Sequence, residues 1–160
     1  MKHMGVIGGG LMGAGIAEVT ARAGLETVVV EVTDEAAKAA DQRIRASLER
    51  ALRRGKIDDA DVAATLERTT VTTDLRALAD CDLVVEAASE REDVKLDLFR
   101  TVGALLRKED AVLASNTSSI PIVKLGAVSG RADRVMGVHF FNPAPVMQLV
   151  ELIPSLTTSP

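Results

Sequence analysis

The sequence predicts an α/β fold: a doubly wound, mainly parallel sheet with an inserted helical hairpin. Three observations point there. Short apolar segments alternate with helical ones along most of the chain. A glycine cluster stands between the first apolar segment and the first helical one. Residues 26–32 are β-branched and mostly apolar, the composition of a strand covered on both faces.

The elements follow in order. Residues 3–8 form the first strand and run straight into the glycines. An Ala-rich helix over 12–23 stops at Gly24, and 26–32 completes a βαβ unit. Asp34 is placed to cap a helix over 35–54, with Ala36, Ala40, Ile44, Leu48 and Leu52 along one face. Gly55 ends it, and a shorter helix over 58–67 turns back to make the hairpin. The alternation then resumes, with strands at 69–72, 82–87 and 111–114, a helical turn at 75–79 and a helix over 92–107. Ser119-Ile120-Pro121 reads as a helix start with proline in its first turn. Strands at 135–138 and about 147–153 complete the sheet. The expected division is one dinucleotide-binding domain over 1–153 and a linker stub over 154–160.

Composition narrows the function classes. The chain has 160 residues and a net charge of −4, which argues against a nucleic-acid partner. Cys81 is the only cysteine, and His3 and His139 lie far apart, so no metal site is expected. No run approaches the roughly 18 apolar residues of a membrane span, and no signal peptide is recognisable, so the expected setting is the cytoplasm. Phe99, Phe140 and Phe141 are the only aromatic residues, and two of them adjoin His139.

Gly8-Gly9-Gly10-Leu11-Met12-Gly13 contains G-x-G-x-x-G between a strand and a helix. Gly8 permits the tight turn, Gly10 lets backbone approach a pyrophosphate, and Gly13 lets helix and strand pack closely. Free N–H groups at the helix start, including those near Leu11 and Met12, then face the phosphates. Glu31 ends the next strand and is placed to bind an adenosine ribose. Its carboxylate would repel a 2′-phosphate, which favours NAD over NADP. FAD is the competing dinucleotide, but the further domain that flavin binding usually needs is not apparent in this sequence.

The last third brings Ser115-Asn116-Thr117-Ser118-Ser119, then His139-Phe140-Phe141-Asn142-Pro143, then Glu151 onto neighbouring strand ends. A hydroxyl, an imidazole and a carboxylate are the parts of a proton-transfer device. Taken alone they also suggest a Ser-His-Glu hydrolase. That alternative lacks a G-x-S-x-G elbow and leaves the glycine turn unexplained.

Over essentially its whole length the chain resembles the N-terminal domain of the L-3-hydroxyacyl-CoA dehydrogenases, a Rossmann domain, and more narrowly the bacterial 3-hydroxybutyryl-CoA dehydrogenases. The motifs are Gly8–Gly15 with Ile16-Ala17, then Leu83-Val84-Val85-Glu86-Ala87, Ser115–Ser119, and His139–Pro143 through Val146-Met147 to Glu151. The resemblance implies that His139 exchanges the hydroxyl proton while hydride passes to NAD. It implies that Glu151 orients the imidazole and that Ser118 binds the substrate oxygen. It places Glu90, Lys95 and Asn142 at the nicotinamide end of the cofactor and counts Asn116 among the cofactor-binding residues. Ser47, Arg54 and the neighbouring Arg53 and Lys56 fall where the family meets the nucleotide of its acyl-CoA substrate. Family members also carry an all-helical second domain that makes most of a homodimer interface, and this chain stops at an uncharged, linker-like tail. The expectation is therefore the cofactor half of a dehydrogenase, binding NAD with little turnover. The alternative is a stand-alone dinucleotide-binding module.

Overall fold

A computed structural model describes residues 1–159. The opening unit is β1 (His3–Ile7), α1 (Leu11–Arg22) and β2 (Glu26–Val30). A hairpin of α2 (Asp34–Arg53) and α3 (Asp59–Glu67) leads to β3 (Thr69–Thr72). Then come β4 (Leu83–Glu86), α4 (Glu92–Leu105), β5 (Val112–Ser115), α5 (Ile122–Ser129), β6 (Val135–Phe140) and β7 (Val150–Pro154). The sheet order is β3-β2-β1-β4-β5-β6-β7. Every pairing is parallel except β6 with β7. Successive strands run outward in opposite directions from the β1/β4 boundary. In sheets of this type the crevice at that boundary is where ligands bind.

Neighbouring side chains along a strand point to opposite faces, and the core divides accordingly. Val6 and Val29 join Ile16, Ile44 and Leu48 beneath α1 and α2. Ile7 and Val30 join Phe99, Val102, Leu113 and Leu125 beneath α4 and α5. Both faces are thus aliphatic, with Phe99 the one fully buried aromatic ring. Cys81 is buried at the second face, where burial pushes its thiol up to about 11.

Local chemistry differs from the expected pattern at several ends. Thr33, not Asp34, caps α2: its hydroxyl accepts the Ala36 N–H at 3.2 Å, while Asp34 and Glu35 lie in the first turn near the positive helix end. Asp58 and Asp61 cap α3 reciprocally, so the helix proper begins at Asp59. β2 stops at Val30 and leaves Glu31 just past the strand. α4 ends at Leu105 rather than 107. The helix start expected at Ser119-Ile120-Pro121 lies slightly later, and no side chain caps α5. The helix starts at Ile122, after Pro121, and the Thr117 hydroxyl accepts the N–H groups of Ser119 and Ile120.

The last strand begins at Val150, not 147, and runs antiparallel to β6. Residues beyond it return towards the sheet. Thr158 donates to the Val135 carbonyl at 2.5 Å and the Ser159 N–H to the Asp133 carbonyl at 2.9 Å. Among the described residues no helix is long and apolar enough to cross a membrane. Among the same residues no three His, Cys, Asp or Glu side chains gather as a metal site.

Candidate active site

The glycine turn lies at the β1/β4 boundary. Gly8 adopts φ +88°, open to glycine and strained for other residues, and its N–H bonds the Val30 carbonyl at 2.9 Å. A Cβ on Gly13 would stand 1.7 Å from the Gly8 carbonyl oxygen, so the close packing of helix on turn requires glycine there. Gly10 is different: a Cβ on it would meet nothing within 4 Å. The protein itself leaves that space open. α1 begins at this point without a side-chain cap and without an acidic residue in its first turn. Its free N–H groups and positive end therefore face the open space, as a bound anion requires. A dinucleotide pyrophosphate fits this cradle.

Glu31 reaches over the turn. Its Oε1 accepts the Gly9 N–H at 2.6 Å and its Oε2 the Val32 N–H at 3.3 Å. Arg43 from α2 donates to the Gly9 carbonyl at 3.2 Å, so strand end, turn and hairpin are tied together. Leu11 is 70% exposed beside them, and Met12 is half-buried.

His139 and Glu151 occupy directly opposed positions of the β6–β7 pair. Directly opposed residues of an antiparallel pair present side chains on the same face within reach of each other. Here His139 Nδ1 and Glu151 Oε2 are 2.8 Å apart. The carboxylate accepts Nδ1–H, fixes the tautomer and leaves Nε2 as the free ring nitrogen. The Phe141 ring meets the imidazole edge-on with centroids 5.0 Å apart. The imidazole is thus held from two directions, and its side chain remains 22% exposed.

The loop after β5 lies alongside. Asn116 Oδ1 accepts the Phe140 N–H at 2.8 Å, which joins this loop to the residue after His139. Ser118 and Asn142 are exposed at this end of the sheet. Beneath the loop runs a buried polar network. Lys95 contacts Glu86 Oε1 at 2.5 Å and Glu90 Oε2 at 3.3 Å, and Ser115 donates to Glu86 Oε2 at 2.6 Å. Thr117 and Ser119 both donate to Glu90 Oε1. Partial burial works against the charge on Glu90, but those two hydroxyls and the Lys95 ammonium outweigh it and hold the carboxyl below its ordinary range. Lys95 is only 1% exposed. It is a buried cation that holds Glu86 and Glu90 beneath the loop after β5. Glu90 keeps an exposed edge, with 45% of its side chain accessible.

A groove extends from the glycine turn along α1 and α2, with the 142–146 segment as its far wall. Gly15 makes this closeness possible, since a Cβ there would lie 3.1 Å from Ala144 and Pro145. Near the turn the groove is a cavity of about 400 Å3 lined by Leu11, Arg43 and Asn142 among others. It continues into one of about 520 Å3, bordered by Arg22, Arg50, Arg54 and Lys56, with Ser47 common to both. Arg53 is absent from this border. It points outward, 3.7 Å from Glu49, and corrects the expectation that it joins the basic cluster.

Comparison with known proteins decides the family. Residues 3–160 match the family model described as "3-hydroxyacyl-CoA dehydrogenase, NAD binding domain". The chain belongs to this family. It is 48% identical to a 3-hydroxybutyryl-CoA dehydrogenase of Mycobacterium tuberculosis over 158 residues, 99% of this chain and 55% of that protein. It is 44% identical to an Escherichia coli 3-hydroxyadipyl-CoA dehydrogenase, covering 99% of this chain and 33% of that one. The crystal structure of M. tuberculosis FadB2 superposes with a TM-score of 0.98 at 48% identity, covering 99% of this chain and 56% of the other. The chain spans about half the length of the 3-hydroxybutyryl-CoA dehydrogenases it matches.

Within this dehydrogenase family domain, sequence reasoning missed three residues that shape the site. Arg43 and Glu86 act through partners that only the fold brings near. Glu18, on the floor of the basic end of the groove, did leave a signal: it is a charged residue on the face of α1 that also carries Ala14 and Ala21.

Proposed function

We propose that this chain is the NAD-binding part of a dehydrogenase that interconverts 3-hydroxyacyl-CoA and 3-oxoacyl-CoA, with 3-hydroxybutyryl-CoA as the favoured substrate. The observation that carries the reading is the 2.8 Å His139–Glu151 pair, beside an open, uncapped helix start suited to a dinucleotide. NAD, when bound, supplies the hydride acceptor. Nε2 of His139 takes the hydroxyl proton of the substrate and returns it in the reverse direction. Glu151 keeps the ring in the tautomer that presents Nε2 and stabilises the imidazolium that forms. The exposed Ser118 hydroxyl donates to the substrate oxygen and holds it near the imidazole. Glu90 and Asn142 border the nicotinamide end, Glu31 takes the adenosine ribose, and Ser47 and Arg54 meet the CoA nucleotide. Several relatives are named 3-hydroxybutyryl-CoA dehydrogenases, which supports the short acyl chain.

The test is acetoacetyl-CoA-dependent NADH oxidation, followed by absorbance. It compares this chain alone with this chain joined to the remaining half of the M. tuberculosis relative. NADH binding by both and turnover by the joined form is the expected result. A joined form that binds NADH but never oxidises it with acetoacetyl-CoA would leave a dinucleotide-binding module and end the dehydrogenase reading. Full turnover by the short chain would show that the site is complete within these residues.

A further inference from the structure

The basic end of the groove has a carboxylate at its floor. Glu18 lies on the buried side of α1 at 1% exposure, and neither of its carboxylate oxygens has a hydrogen-bond partner. Its nearest cation is Arg22, one turn on, at 3.6 Å. The other charged groups around the pocket are Arg50 from α2, and Arg54 and Lys56 from the α2–α3 connection. The opposite wall contributes Pro143, Pro145 and Val146 and no charge. Burial pushes the Glu18 carboxyl up, and nearby Ser47, Arg22 and Arg50 offset only part of that. A buried carboxylate beneath four cations offsets part of their charge while the pocket is empty of anion. Once phosphates occupy those cations, the same carboxylate faces like charge with only Arg22 and Ser47 close by to offset it, and its ionised form becomes more costly.

We infer that Glu18 is the proton-linked counter-charge of this pocket: an anion settling on Arg50, Arg54 and Lys56 favours uptake of a proton from solvent by Glu18. The identity of the natural anion rests on the proposed function, in which the phosphates of an acyl-CoA lie here, whereas the linkage belongs to the pocket itself. Glu18 then tunes the site, because a ligand binds more tightly as pH falls and a dense polyanion is resisted at neutral pH.

Titration calorimetry tests this with the intact chain and its Glu18→Gln variant, using coenzyme A and, separately, inorganic pyrophosphate. Each titration is run in two buffers of different ionisation enthalpy, which counts the protons taken up. The wild-type chain is expected to take up several tenths of a proton more than the variant near neutrality. The variant should bind about 3–30-fold more tightly at about pH 8, with the gap closing towards pH 5. Glu18→Leu serves as a second neutral variant should the first fail to fold. Equal proton counts and equal affinities in wild type and variant would overturn the linkage. Coenzyme A binding without linkage removes this inference and leaves the acyl-CoA reading intact. Linked binding of pyrophosphate with no binding of coenzyme A does the reverse. No binding of either ligand removes both.

Discussion

His139 and Glu151 are twelve residues apart, yet they pair because β7 turns back antiparallel along β6 and sets them in register. An imidazole titrates near neutrality, which suits it to exchange a proton with an alcohol. In the joined form described above, His139→Gln should lower turnover by about 10²–10⁴-fold while NADH affinity changes little. Steady-state rates and fluorescence titration check the two halves separately, and unchanged turnover would remove His139 from the mechanism. Glu31→Ala removes the acceptor of the Gly9 N–H and the charge that repels a 2′-phosphate. The ratio of NADPH to NADH dissociation constants should fall by about tenfold or more. The place of each residue was legible in the sequence, since each was expected at a strand end and stands there. The pairing of Lys95 was not. Its partner Glu86 ends β4 while Lys95 sits in α4, and only the packing of helix on sheet brings the ammonium to that carboxylate.

At the scale of elements, one side chain joins three of them. Arg131 donates to the carbonyls of Gly103, Leu106, Lys108 and Ala111, so the end of α4, the approach to β5 and the turn after α5 share a single guanidinium. Charged hydrogen bonds of this kind satisfy carbonyls that the helix end leaves open. Arg131→Ala should therefore destabilise the fold by about 2 kcal/mol. Urea unfolding monitored by circular dichroism gives the value, and Arg131→Lys should recover only part of it. The order of helices and strands was readable from alternating apolar patterns and from Gly24 and Gly55. The ends were less so, because a cap depends on which hydroxyl or carboxylate reaches the first turn. Thr33 and Asp34 are adjacent and both suited to the role, and only the extended backbone at Thr33 separates them.

For the whole molecule, two carboxylates bias stability in opposite directions with pH. Asp82 is held well below the carboxylate range by the Lys108 ammonium and by the Lys2 and His3 N–H groups, which fastens the chain start to β4. A depressed value in the folded state means that this stabilisation is complete above about pH 4, where the unfolded carboxyl is ionised, and is lost as pH falls. Glu18 has the opposite sign. With its carboxyl pushed up by burial, the folded state binds that proton more readily, so its contribution is most favourable in acid and declines as pH rises. Unfolding midpoints from about pH 3 to 8 should show Asp82→Asn flattening the acid limb and Glu18→Gln raising stability at neutral pH. Either variant tracking the wild type across that range would refute its half of the claim. The doubly wound sheet itself was legible from the alternation of strands and helices along the chain. The antiparallel edge was not, since residues 147–153 look alike in either strand direction.

The open space at Gly10 divides the glycine turn into two kinds of glycine. Gly13→Ala would drive a methyl into the Gly8 carbonyl and should damage folding. Gly10 has φ −63°, which alanine adopts without strain, and its methyl would touch no protein atom. Gly10→Ala should hold or raise stability, by up to about 1 kcal/mol, while NADH binding weakens. Thermal melts and fluorescence titration on the same sample separate the two effects. Across a lineage, then, folding preserves Gly13 whatever the protein is used for, whereas only the cofactor preserves Gly10. An alanine appearing at that one position would mark a descendant that still folds but has given up its dinucleotide.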